Sequence, residues 1–178
     1  EPVVVNGKKI RVWFTEGKGQ LATYALDAAA KLLPYYENYF GQPYPLDKLD
    51  LIGIPDFSAG AMENLGAITF RENALLVDEK NSALSSRTRV VNIVAHEMAH
   101  LWFGDLVTMK WWDDLWLNEA FATWMADKAE DVLKPDWRIW DDFAVARVGT
   151  LDAAAIVATS SVQSPVTSPN AALELFDD

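Results

Sequence analysis

Cysteine is absent from the 178 residues, so the chain has no disulfides and no thiolate ligands, and its redox compartment is undetermined. Histidine is nearly absent as well: His96 and His100 are the only two. Basic residues are scarce beside acidic ones, 15 against 26, and the formal net charge of -11 argues against nucleic acid or an anionic membrane as partner. No apolar run is long enough to span a bilayer. There is no internal repeat and no low-complexity tract. Because the chain opens Glu1-Pro2 rather than with Met, an excised piece is expected, and the lack of a signal peptide leaves localisation open.

What is present is a folding sequence. Hydrophobic residues make up 51% and eight residues are Trp, which excludes disorder and predicts one domain over residues 1–178 with a core of its own. The two histidines lie in Val94-Ala95-His96-Glu97-Met98-Ala99-His100-Leu101, an H-E-x-x-H pattern. On a helix, positions i and i+4 stack on one face with Cβ atoms about 5–6 Å apart, so two imidazoles can ligate one metal ion with Glu97 beside them as general base. H-E-x-x-H also fits an ordinary solvated helix face. Here, however, Val90, Val91, Ile93, Val94, Met98 and Leu101 make the helix largely apolar.

A tetrahedral catalytic zinc takes a third protein ligand and leaves one position open. Glu119 is the candidate, separated from His100 by eighteen residues, in Leu117-Asn118-Glu119-Ala120-Phe121. It also fits an ordinary helix charge, but its neighbours are mostly apolar, and a buried carboxylate without a partner is costly.

Strands are expected at 3–5 and 10–14 around an Asn6-Gly7 turn, at 49–54, and at 66–70 and 74–77 around a turn at 71–73. Helical spacing runs from Gln20 to Phe40, with Pro34 expected to bend it. Ser85-Ser86 is the expected N-cap of the H-E-x-x-H helix, which should end near Gly104. A second helix should cover 115–133, and a third should run from Trp137 into 153–158. The tail from Ser160 to Asn170 reads as a loop, with a helix beginning in 173–178. Strands followed by helices argue for an α+β fold over a doubly wound parallel sheet, with the metal between two helices in a cleft below the sheet.

One further stretch, Gly60-Ala61-Met62-Glu63-Asn64, reads G-A-M-E-N. Together with H-E-M-A-H, the eighteen-residue gap and N-E-A-F-A, it resembles the zinc aminopeptidases related to aminopeptidase N. Trp102–Thr108 and Trp111–Leu117 fit the same family, and the resemblance runs from about Leu26 to Phe176. It implies a thermolysin-like catalytic domain, truncated from a larger multi-domain enzyme whose flanking domains would be its partners. His96, His100 and Glu119 would bind one Zn²⁺, and Glu97 would take a proton from the attacking water. Gly60, Ala61, Met62, Glu63 and Asn64 would pair with an extended peptide, and Glu63 would accept its free N-terminal amine. Departures from the family are Ala120 where many members have Gly, Leu65 where many have Trp, and Ser164 where many have His. The family's oxyanion-stabilising tyrosine has no counterpart, since every tyrosine lies at or before Tyr44. Two other functions stay open: an epoxide hydrolase like the related leukotriene hydrolases, and a non-catalytic scaffold.

Overall fold

The computed structural model describes residues 1–155 and 161–174. A hairpin opens the chain. Strands β1 (Val3–Val5) and β2 (Lys8–Trp13) pair antiparallel. Asn6 and Gly7 between them have φ of 49° and 78°, the left-handed pair that a two-residue hairpin turn requires. Helix α1 (Thr23–Phe40) then crosses over, so that β3 (Lys48–Ile54) lies parallel to β2. Strand β5 (Ala67–Arg71) adds parallel to β3, and the two-residue β4 (Ala61–Met62) closes the sheet antiparallel to β5. The order is β1-β2-β3-β5-β4, a mixed sheet interrupted in sequence by α1 and followed by the remaining helices, in keeping with the expected α+β class.

The helical part follows: α2 (Glu72–Leu75), α3 (Leu84–His100), α4 (Leu115–Leu133), α5 (Ile139–Ala154) and α6 (Pro169–Glu174). The core joins Ile10, Leu49, Leu51, Ile68 and Phe70 of the sheet to Leu32, Leu33 and Tyr36 of α1 and Val90, Val91, Val94 and Met98 of α3. The buried Tyr36 hydroxyl donates to the Ala95 carbonyl at 2.8 Å, which ties α1 to the H-E-x-x-H helix. Aromatic contacts pin the end of that helix: Phe40 stacks on Trp102 with centroids 5.3 Å apart, and Phe103 meets Phe121 at 4.0 Å. Among the described residues, no helix is long and apolar enough to cross a membrane.

Several local expectations are corrected. Residues 74–77 do not form a strand: Glu72–Leu75 make a helical turn directly after β5, with Ala74 and Leu75 fully buried. A short apolar run has no periodicity to separate a strand from a buried helical turn. Here Glu72, which meets Lys18 and Thr15, fixes the turn. The cap of α3 falls on Ala83, not on Ser85-Ser86. α1 runs on through Pro34, because the faces on both sides of it are buried against the core. α5 starts at Ile139, since Pro135–Trp137 form their own tight turn and Arg138 is left-handed at φ 55°. Its expected extension over 156–158 lies outside the described residues. α6 begins earlier than expected: the Ser168 hydroxyl accepts from the Ala171 amide at 3.2 Å and Pro169 takes the first helical position. Of the helix expected over 173–178, residues 175–178 lie outside the described part.

One charged cluster holds the sheet's middle. Arg11 donates to both oxygens of the buried Asp50 at 2.6 and 2.9 Å, joined by Trp13 Nε1 at 2.9 Å and Lys48 Nζ at 2.8 Å. Burial pushes this carboxyl up, but the hydrogen bonds from Arg11, Lys48 and Trp13 outweigh it and hold it at about 2. Folded Asp50 therefore titrates below the unfolded value of about 3.9. Its contribution, about 2 kcal/mol, is present above pH ~4 and lost as pH falls through about 2. Urea midpoints measured from pH 5 to pH 2 should drop in this window for the native protein and drop less for Asp50→Asn.

Candidate metal centre

The site grows from the helix pair α3 and α4. His96 and His100 stand one turn apart near the end of α3, and Glu119 faces them from the first turns of α4. The two rings are edge to face with centroids 4.6 Å apart. Their Nε2 atoms are 3.0 Å apart, and Glu119 Oε2 lies 3.3 Å from that of His96 and 3.5 Å from that of His100. The far nitrogens are occupied: His100 Nδ1 meets the Phe103 carbonyl at 3.0 Å, and His96 Nδ1 meets the Thr123 hydroxyl at 3.3 Å. With the Nδ1 proton of His100 donated to a carbonyl, its Nε2 lone pair points into the triangle.

That triangle fits a tetrahedral cation. Donors about 2.0–2.1 Å from one ion lie about 3.3–3.4 Å from each other. The three separations of 3.0, 3.3 and 3.5 Å bracket that value. Electrostatics point the same way. Burial alone would lower His100, but its hydrogen bond to Glu119 and the charges of Glu63 and Glu119 raise it instead, and Glu119 is correspondingly lowered. The surrounding carboxylates thus favour positive charge at this point. Glu97 is 6% exposed and its Oε2 has no hydrogen-bond partner. Burial pushes it up to about 8; His100 opposes this, while Glu63 and Glu119 add to it.

A cleft of about 1070 Å³ opens over these groups. Gly60, Ala61, Met62, Glu63 and Asn64 all line it, so it gathers every site residue expected from the sequence, with His96, Glu97, His100 and Glu119 on the facing side. β4 lies at the sheet's end: one edge pairs with β5, and the other has no strand partner among the described residues. Glu63 Oε1 lies 4.0 Å from His100 Nδ1. None of the tyrosines lines the cleft; Tyr36 and Tyr44 are buried with their hydroxyls on the backbone carbonyls of Ala95 and Lys48.

Asp105, within Trp102–Thr108, and Asn118, next to Glu119, carry no role legible in the sequence. Both line the cleft, and each has one buried oxygen without a partner. Burial, followed by the charge of Glu63, pushes Asp105 up to about 6 against the pull of His100. The available signal was position, since Asn118 directly precedes Glu119.

Residues 24–178 match the Peptidase family M1 domain. The chain is 55% identical over 138 residues to Aminopeptidase M1 of Arabidopsis thaliana, covering 78% of this chain and 16% of that protein. It is 52% identical over 163 residues to Probable aminopeptidase 2 of Sulfurisphaera tokodaii, covering 91% and 21%. It is 46% identical over 176 residues to human Endoplasmic reticulum aminopeptidase 1, covering 99% and 19%. The chain belongs to peptidase family M1. It spans about a fifth of the length of these relatives.

Zinc at about 100 times its dissociation constant should stabilise the fold by about 2.7 kcal/mol, raising the thermal midpoint by about 5–10 °C. EDTA should reverse the shift, and Glu119→Ala should remove most of it. A midpoint indifferent to zinc would end the metal-site reading.

Proposed function

We propose that the chain is the catalytic domain of a larger zinc aminopeptidase, removing the N-terminal residue from peptides. The observation that carries this is the convergence of three donor atoms beside a buried, unpartnered carboxylate oxygen of Glu97. Family membership and the relatives' names support the same activity.

In this reading His96, His100 and Glu119 hold the ion. Zinc, when bound, would lower the pKa of a water to about 7 and supply a charge that polarises the scissile carbonyl and favours the ionised form of Glu97. Glu97 takes the proton of the attacking water and returns it to the leaving amine, and its buried setting suits a base that must both accept and give. The free edge of β4 receives the peptide backbone as an added strand. Glu63 meets the α-ammonium group of the first residue. An internal peptide bond carries no charge there, so a desolvated Glu63 disfavours it, and cleavage is confined to the chain end. The phenolic donor that the family resemblance implies for the carbonyl oxygen is assigned to no residue of this chain.

Glu97→Gln should lower kcat by about 10²–10⁴-fold while zinc content stays at one per chain. Glu63→Ala should lower kcat/KM on free-amine peptides by about 10- to 100-fold with zinc retained. Steady-state kinetics on leucine arylamide and its N-acetylated form check both. Efficient cleavage of the acetylated form by the native enzyme would overturn the ammonium anchor, and full activity in Glu97→Gln would overturn the base.

A further inference from the structure

Asn118 stands between the two halves of the cleft. Its Nδ2 donates to Glu63 Oε1 at 3.4 Å and to Glu119 Oε1 at 3.3 Å. Glu119 turns its other oxygen, Oε2, toward the imidazoles, so the amide holds the oxygen that the donor triangle leaves free. Glu63 belongs to the segment after β4, at the sheet's end, while Glu119 belongs to α4. One side-chain amide therefore spans from the sheet edge to the helix.

The amide has only one workable orientation. Turned over, it would set its carbonyl oxygen against two carboxylate oxygens. Facing them with its N–H groups, it sends Oδ1 the other way, where that oxygen is buried without a partner. There it lies against Gly104, where a Cβ would stand 2.6 Å from Oδ1 and 3.2 Å from the His100 carbonyl. Gly104 also has φ of 141°, a backbone that side chains rarely adopt. The absence of a side chain at Gly104 thus makes the room in which Asn118 can turn its donors toward both acids. Leaving Oδ1 unsatisfied costs free energy, and the two carboxylates are what offset it.

We propose that Asn118 is a positioning residue that couples the ammonium anchor Glu63 to the metal-ligand carboxylate Glu119, fixing the distance between the peptide's first nitrogen and the ion. The inference rests on the roles proposed above for those two acids. Because it holds the outer oxygen of a ligand, Asn118 should also tighten metal binding before any substrate arrives.

The test uses the full-length protein. Zinc affinity is read by competition with a chromophoric chelator without substrate, and KM is read on leucine arylamide. Asn118→Ala, and Asn118→Leu, which keeps the volume but has no donor, should each weaken zinc binding by about 10- to 100-fold. Each should also raise KM by about 3- to 10-fold. In a Glu63→Ala background, the KM effect of Asn118→Ala should disappear while its zinc effect remains. Native zinc affinity in Asn118→Leu would show that the residue only fills space and would overturn the inference. So would KM effects that add in the double variant. If the unmodified protein binds no zinc, the proposed function falls and this inference with it; zinc binding that neither variant moves overturns the inference alone.

Discussion

The packing of α3 against α4 is the constraint on which the site depends. Small residues let the helices approach: Ala95 and Ala99 on one, Ala122, Ala126 and Ala129 on the other, all buried. Between them runs a series of polar rungs about one helical turn apart. Asn92 Nδ2 donates to Asp127 and Glu130 at 3.1 Å each, His96 meets Thr123, and both histidines meet Glu119. Positions 92, 96 and 100 ascend as 130, 127, 123 and 119 descend, the register of antiparallel helices with matched pitch. A slip of one residue on either helix would turn the imidazoles away from the carboxylate. The lowest rung is not free of strain: burial, opposed by Asn92 and reinforced by Asp127, pushes the Glu130 carboxyl up to about 7, and its Oε1 has no partner.

The sheet supplies the opposite wall, and its topology explains why that wall is short. Parallel pairing of β2, β3 and β5 packs Ile10, Leu49, Leu51, Ile68 and Phe70 into the core. The chain between β3 and β5 must then leave the sheet and return. Its outward loop rejoins at Ala61–Met62, held by the Ala61–Phe70 and Met62–Thr69 pairs and by the Arg71 amide on the Gly60 carbonyl at 2.8 Å. The Arg71 side chain secures the same loop, donating to the Phe57 and Ala59 carbonyls at 2.9 and 3.1 Å. Glu63 follows directly, so backbone pairing carries it to the cleft, where Asn118 donates to its carboxylate.

What could be read from the sequence divides along these lines. The imidazole pair was legible because i, i+4 spacing carries its own geometry. Glu119 was legible as a carboxylate set among apolar residues at a distance that a returning helix can bridge. The hairpin at Asn6-Gly7 was legible because its turn demands positive φ at both positions. Segments whose form depends on distant partners were not. Ala74–Val77 has the composition of a strand, yet Glu72 is held from Lys18 and Thr15, more than fifty residues away. Asn118 had no legible role, because its partners are carboxylates brought together only by the fold, one of them fifty-five residues off.

The brevity of β4 sets a limit on recognition. Two strand residues expose on their free side the N–H and C=O of only one, since successive residues alternate in direction. A peptide aligned there gains at most two backbone hydrogen bonds, each worth about 1 kcal/mol net. In the proposed reading, affinity rises over the first residues of the substrate and then levels off. Grip on the body of the peptide is weak compared with grip on its end. By itself, so short an edge would distinguish little of the length or the sequence that follows.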